Sequence, residues 1–245
     1  GWDVQHLSDL GGSASAVTVD GVRAYVGVGQ SLEIVDFADP AIPRKLGSRP
    51  LRELARDIVV HGDLAIVAQG ESGFESIDVS DPTDPSPRDS AGLPARGLAL
   101  DDGFLVIAGG AGEETGLWIC DLDSLASCAP SFVHTPGDAL AVAAAPGHVG
   151  YLADGWGGLR IVDMADRGSL AELGWLPMTA LDVAVAESGQ HAFVAAGDAG
   201  LAVVDATDRA APTIAATYVT ELGAIVAVEI AGDVAYASLE GGDIV

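Results

Sequence analysis

A short apolar segment ending in aspartate recurs five times, with intervals of 42, 43, 42 and 42 residues between the aspartates. Each copy brings four strand-like runs, and the two chain ends carry complementary fractions of a repeat. These observations predict an all-β fold, a six-bladed β-propeller of four-stranded antiparallel blades whose last blade is closed by the N-terminal strand. The chain is then a single domain, 1–245. Its blades lie near 14–48, 55–90, 95–134, 138–175 and 180–218, with a sixth at 224–245 completed by 1–10.

The repeated segments are residues 32–36 (LEIVD), 74–78 (FESID), 117–121 (LWICD), 159–163 (LRIVD) and 201–205 (LAVVD). A sixth copy begins at 243–245, and the sequence ends where its aspartate should follow. Upstream of each lies a second apolar run (24–26, 64–67, 105–107, 151–153, 192–194, 234–236). Before it, across a Gly-containing turn, comes another (17–19, 58–60, 98–100, 140–142, 183–185, 225–228). Downstream come a turn, as at 36–40 and 78–82, and a more polar run near 44–47 or 215–218. Short runs bounded by Gly, Pro and Asp read as strands, and no 3.6-residue period is sustained. Three strands per repeat are apolar on both faces, as expected of a sheet sandwiched between neighbours. The fourth is wetter, as an edge should be. Residues 2–10 read as an outer strand lacking inner strands, while the sixth repeat lacks its outer strand, so joining them closes the ring. An open solenoid is the rival, but β-helix coils run shorter and show no four-strand hairpin pattern.

Hydrophobic residues make up 49 %, aromatics 5 %, and glycine 32 of 245, so the core must rely on small and β-branched side chains. A net charge of −25 tells against nucleic acid or anionic membrane as a partner. Residues 1–100 hold 8 Lys+Arg against 15 Asp+Glu, and residues 101–245 hold 3 against 21. No apolar run approaches about 18 residues, so this segment does not insert into a membrane. It starts at Gly1 and stops inside a repeat, which reads as a piece of a longer protein whose signal or anchor lies elsewhere.

Segments 32–36 and 159–163, the Asp-x-x-Asp-Pro turns at 36–40 and 78–82, and Gly-x-x-Ala-Tyr-Val at 21–26 resemble the LVIVD repeat. The resemblance spans essentially the whole chain. It implies a propeller and an extracytoplasmic place (secreted, periplasmic or cell-surface), and it brings no common catalytic site. Repeats three and four lack the proline after Asp123 and Asp166, a departure that touches only turn geometry.

Asp36, Asp78, Asp121, Asp163 and Asp205 occupy one position in five repeats. That placement points to a structural task, accepting backbone N–H bonds from the following turn. His61, His148 and His191 fall in turns between first and second strands, and His6 and His134 near outer strands; surface positions are expected for all five. Cys120 and Cys128, eight apart, form a disulfide or stand as two thiols. The bridge is the weightier reading, and it implies an oxidising compartment. No Gly-x-Ser-x-Gly elbow and no calcium loop is present.

Function is expected on the loops at one end of the blades. Arg49, Arg52, Arg56 and Arg96, flanked by Glu53 and Asp57, cluster there in an otherwise acidic chain. They serve either as an anion subsite, since Arg offers planar bidentate recognition, or as ion-pair partners, the weightier reading. Trp156, in the glycine-rich tip 154–158, is either a binding hot spot or folded onto a neighbouring loop. Asp182 and the acidic tips at Glu113, Glu114, Asp198, Glu240 and Asp243 would attract Ca2+, though no cofactor is expected. The candidate ligand-binding set is therefore Arg52, Arg56, Asp57, Arg96, Trp156 and Asp182. The expected function is a non-catalytic binding or scaffold propeller that recognises a protein or glycan through its loop face. The alternatives are a cation-dependent hydrolase or lyase at the channel mouth and a structural assembly module.

Overall fold

The computed structural model describes residues 14–112, 114–128, 131–242 and 244–245. The expected N-terminal closing strand, His6, Glu113 and Asp243 lie outside the described residues. The fold is all-β, a succession of antiparallel meanders of the propeller-blade type, grouped into two compact units, Gly1–Ala95 and Arg96–Val245. No helix among the described residues is long and apolar enough to cross a membrane.

The first unit holds two four-stranded sheets. One is β1 (Ala14–Asp20), β2 (Arg23–Val28), β3 (Ser31–Asp36) and β4 (Arg44–Pro50); the other is β5 (Asp57–His61), β6 (Leu64–Ala68), β7 (Phe74–Asp78) and β8 (Ser86–Ala91). Tyr25, Leu32, Ile34, Ile58, Val67 and Ile77 pack together between the two sheets. All of β6 is buried. In contrast to the expectation of burial on both faces, Val17 and Val19 of β1 are 62 % and 57 % exposed. Within its unit β1 has a sheet on one side only, so its other face meets solvent.

The second unit holds three four-stranded sheets and a two-stranded one. The first of these is β9 (Gly97–Asp101), β10 (Phe104–Ala111), β11 (Glu114–Asp121) and β12 (Ser131–His134). Next comes β13 (Ala141–Ala145), β14 (Val149–Ala153), β15 (Leu159–Asp163) and β16 (Ala171–Leu176). The third is β17 (Asp182–Val185), β18 (His191–Ala195), β19 (Leu201–Asp205) and β20 (Thr213–Tyr218). The last pair is β21 (Ile225–Ala231) and β22 (Val234–Leu239). Small and branched residues fill the spaces between sheets, as with Ala145, Val149, Ala153, Ala192, Val194 and Val204. Every residue of the outer strand β20 is exposed.

One end of each four-stranded sheet is stitched in the same way. Asp36, Asp78, Asp121, Asp163 and Asp205 each accept the N–H two residues on, at 2.8–3.0 Å. The residue after each aspartate donates its own N–H to the turn between the first two strands, as Val79 does to Asp63 O and Met164 to His148 O. The fivefold structural role read from the sequence is what these bonds perform. In the third repeat a short 3-10 helix, Leu122–Ser127, replaces the second half of the turn, and Cys128 beyond it is joined to Cys120. His61, His134 and His191 are exposed. His148 departs from the expected surface position: it is half-buried, with Nδ1 2.9 Å from Arg167 Nη2 and 3.2 Å from Asp101 Oδ2. Arg167 also pairs with Asp101 at 2.6 Å, so this turn carries an ion cluster that the spacing of single residues does not reveal.

Candidate functional site

The opposite end of the sheets carries the hairpin tips between second and third strands. In three sheets the tip has one design: Gln69–Gly73, 154–158 and 196–200. The first residue donates to the fifth residue's carbonyl at 2.8–2.9 Å. The second tip residue then forms a two-way bridge to the following loop, Gly70 with Ala95, Gly155 with Ala180 and Gly197 with Ile225. Each tip is thus a rigid post tied to its neighbour. The β10–β11 hairpin is longer, pairing from Phe104↔Asp121 out to Ala111↔Glu114, and it brings Thr115 beside the loop that follows β12.

The tip at 154–158 is the most strongly held. Asp154 is fully buried, at 0 % exposure. Its carboxylate accepts Thr135 Oγ1 at 2.6 Å, Gly137 N at 2.9 Å and Arg160 Nε at 3.0 Å. Burial pushes the Asp154 carboxyl up, against the opposing pull of these donors and the Arg160 charge. Arg160 also donates to Gly157 O at 3.0 Å and to Glu172 at 2.7 Å, and its guanidinium lies 5.5 Å from the Trp175 ring centroid. Thr115 Oγ1 bonds the carbonyls of Thr135 and Gly137 at 3.1 and 2.8 Å. Two polar walls, the tip and the loop 135–138, are therefore fixed to each other. Beside them lies a cleft of about 510 Å³ lined by Gly112 and Thr115, by His134, Pro136 and Asp138, and by Trp156 of the tip. Trp156 is 70 % exposed and stands at its rim.

In the first unit, Arg49, Arg52 and Arg88 line a second cleft of about 450 Å³, with Glu75 and Asp89. Arg49 reaches buried Glu75 at 3.4 Å, and its Nε is buried without a partner among the described residues. Arg52 is exposed. Its guanidinium touches Ser90 Oγ at 3.4 Å, and its backbone N–H is held by Gln69 Oε1 at 2.8 Å. Arg56 and Arg96 occupy the same repeat position, each donating its backbone N–H to the second strand, to Ala68 O and Ala108 O. Arg56 is exposed in the first unit, and Arg96 is half-buried at the start of the second. The ion-pair reading thus describes Arg49, whereas Arg52 has no carboxylate within 4.0 Å among the described residues.

Asp57 and Asp182 also share one repeat position, the first residue of an innermost strand. Asp57 Oδ1 accepts Ile58 N at 2.7 Å. Asp182 uses both oxygens on backbone, Oδ1 for Val183 N at 2.9 Å and Oδ2 for Val228 N of β21 at 2.8 Å. Burial pushes the Asp182 carboxyl up, and Glu229, also raised by burial, feels its charge. Asp182 therefore ties β17 to β21 rather than facing a loop cleft. Glu114, Asp198 and Glu240 are exposed, and no group of three potential ligands among the described residues is placed to share a metal ion.

Sequence reasoning found Trp156 but missed Asp154, Thr135 and Arg160, which hold it. The signal was present in the alignment of repeats: position two of the aspartate-ended segment is Glu33, Glu75, Trp118, Arg160 and Ala202, so charge and size change there from blade to blade.

A run of blade-type sheets, with aspartate turns at one end and bridged tips at the other, defines the chain as a repeat protein of the propeller class. More narrowly, it belongs to the LVIVD repeat family, which matches residues 11–48, 54–88, 136–175 and 179–220. The fourth repeat matches despite its missing proline; the matched segments leave out the third, with its 3-10 turn and disulfide. No curated protein sequence matches the chain significantly. Among solved structures, the mitotic checkpoint complex aligns with TM-score 0.78 and 14 % identity over 97 % of this chain and 74 % of that one. Hydrazine synthase of Kuenenia stuttgartiensis aligns with TM-score 0.74 and 15 % identity over 94 % and 81 %. A functionally unknown protein from Desulfotomaculum acetoxidans aligns with TM-score 0.70 and 14 % identity over 86 % and 70 %. At these identities the likeness concerns the fold alone.

Proposed function

We propose that this chain is a non-catalytic binding module that recognises a protein or glycan through the loops at the hairpin-tip end of its sheets. The observation that carries the reading is Trp156. A Trp that is 70 % exposed on a rigid, bridged tip has no packing duty, and it stands at the rim of a preformed cleft. Rigid aromatic anchors of this kind dominate binding energies. Of Asp57, Asp182 and the acidic tips that motivate the cation-dependent hydrolase or lyase alternative, Asp182 has both oxygens occupied by backbone N–H groups.

The proposal includes the architecture that would present this face. The six sheets form a single closed ring, with residues 1–10 supplying the outer strand that β21 and β22 lack. The complementary part-repeats in the sequence support it, as does the open face of β1; the far edge of β22 already pairs with Ile244 and Val245, the start of the next strand of that repeat. We place the module outside the cytoplasm, on the strength of the Cys120–Cys128 bridge and the family resemblance.

The test is capture from envelope extract by the immobilised chain, beside Trp156→Ala and, separately, the pair Arg52→Ala/Arg56→Ala. A species retained by the wild type and lost with either variant supports a binding module and tells which cleft holds it. If wild type and both variants retain the same species, or retain none, the loop-face reading fails.

A further inference from the structure

The geometry points to a neutral glycan as the ligand of the Trp156 cleft, with one pyranose ring stacked on the indole and its hydroxyl groups held by His134 and Asp138. This rests on the binding-module reading above and narrows it to one ligand class.

A pyranose presents a face of C–H groups and a rim of hydroxyls. It therefore needs one flat apolar surface with donors and acceptors around it, rather than an apolar basin. The cleft offers that combination. Trp156 supplies the flat surface, Pro136 adds a small apolar edge, and His134 and Asp138 are both exposed with polar atoms to spare. Asp138 can accept two hydroxyl hydrogens, and the His134 imidazole both donates and accepts. A protein hot spot of the usual kind would instead need Trp156 to be sealed from water by a ring of close contacts. The surroundings of the indole are too polar for that.

The cleft is also preorganised. Sugars lose much of their binding energy to the ordering of flexible walls, and a fixed cleft avoids that loss. Here the walls are fixed at unusual expense. A carboxylate is buried at Asp154 to hold the hydroxyl of Thr135 and the N–H of Gly137, and Arg160 holds Gly157 on the tip itself. At Gly137 the two walls are so close that a Cβ would run into Asp154 O and Gly157 N. At the 69–73 tip the tie to the neighbouring loop is a neutral one, Gln69 accepting Arg52 N and Glu53 N, with the Glu75–Arg49 pair behind it. The tip at 196–200 starts with Ala196, and the sheet stands without a carboxylate there, so the fold does not require it.

Charge and size decide among sugars. Residues 96–245 hold four basic side chains against 21 acids, and Asp138 stands in the cleft itself, so uronic-acid or sulfated chains are repelled. A volume of about 510 Å³ lies within the range of small-molecule sites and takes a short oligosaccharide segment.

The test uses the whole chain and defined probes. Neutral hexasaccharides of the β-1,4-glucose, β-1,4-N-acetylglucosamine, α-1,4-glucose and β-1,4-mannose series are titrated by calorimetry and by Trp fluorescence. Oligogalacturonate and hyaluronan oligomers at low and moderate salt are the charged arm. At least one neutral series is expected to bind, with Trp156→Ala weakening it tenfold or more, Trp156→Phe retaining most of it, and Asp138→Ala weakening it by a smaller factor. Because Trp156 is exposed, its replacement should leave the melting temperature unchanged, which separates lost contact from lost fold. Three results overturn the proposal: no neutral probe binds, Trp156→Ala binds as the wild type does, or the acidic oligomers bind more tightly than the neutral ones. A protein captured in a Trp156-dependent way while every sugar fails would leave the binding-module reading standing and remove this one.

Discussion

At Asp78 the exposed carboxylate accepts the N–H and the hydroxyl of Ser80, at 3.0 and 2.6 Å, and these bonds hold its pKa below the ordinary 3.8. Asp36, Asp81 and Asp205 are lowered for the same kind of reason, hydrogen bonds from the turn that follows each. A folded pKa below the unfolded one gives stabilisation that is present above roughly pH 4 and lost as pH falls through the folded value. The replacement Asp78→Asn keeps the turn geometry but removes the charge. Its melting temperature should therefore trail the wild type at pH 7, with the gap narrowing as pH falls below about 4; a gap that stays constant as the pH is lowered would contradict the assignment. The buried Asp154 follows the opposite logic. Removing it by Asp154→Ala leaves Arg160 with Glu172 as its remaining carboxylate and takes the acceptor from the buried Thr135 hydroxyl and Gly137 N–H, a change that typically costs about 1–3 kcal/mol for each buried group left unsatisfied. Thermal melts of this variant should fall well below those of Trp156→Ala. The aspartate turns were legible because they repeat; the Asp154–Arg160 pair was not, because it occurs in one blade and joins residues whose partners come from another.

At the scale of single elements, the hairpin tips and the Cys120–Cys128 turn carry the departures from the average repeat. The fifth residue of each bridged tip is a glycine with positive φ, 84° at Gly73, 91° at Gly158 and 91° at Gly200. A Cβ at Gly158 would strike the Leu176 carbonyl oxygen. The substitution Gly158→Ala should accordingly cost more than the ~1 kcal/mol of an ordinary strained turn and loosen the Trp156 cleft as well. In the third repeat, the disulfide closes a short loop with a Cα–Cα distance of 5.4 Å. Reduction, or Cys120→Ser with Cys128→Ser, should lower stability by about 2.5 kcal/mol on loop-closure grounds. Chemical denaturation with and without reductant reads this directly, and identical midpoints would show that the 3-10 turn holds unaided. The strands themselves were readable from alternating Gly, Pro and Asp punctuation. The longer β10–β11 hairpin was not, since Gly109 to Thr115 reads equally well as a loop.

At the scale of the molecule, small side chains set the character of the whole. Alanine, valine and isoleucine fill the spaces between sheets, and each sheet can pack only if it has a neighbour on both faces. That requirement explains why the exposed Val17 and Val19 of β1 and the two-stranded pair β21–β22 call for a further partner. Repeat count made the all-β architecture of blade-type sheets legible from the sequence. The ligand was not legible, because nothing in an apolar repeat declares which of its loops will hold a partner. The central claim is that the ring closes through its own N-terminus and so holds the binding face rigid. The most direct measurement is the melting temperature and oligomeric state of the chain lacking residues 1–10. Closure predicts a fall of roughly 10 °C or more, at about 2–4 °C per kcal/mol for a chain of this size, with self-association through the freed strand edge. An unchanged melting temperature in a monodisperse monomer would contradict it.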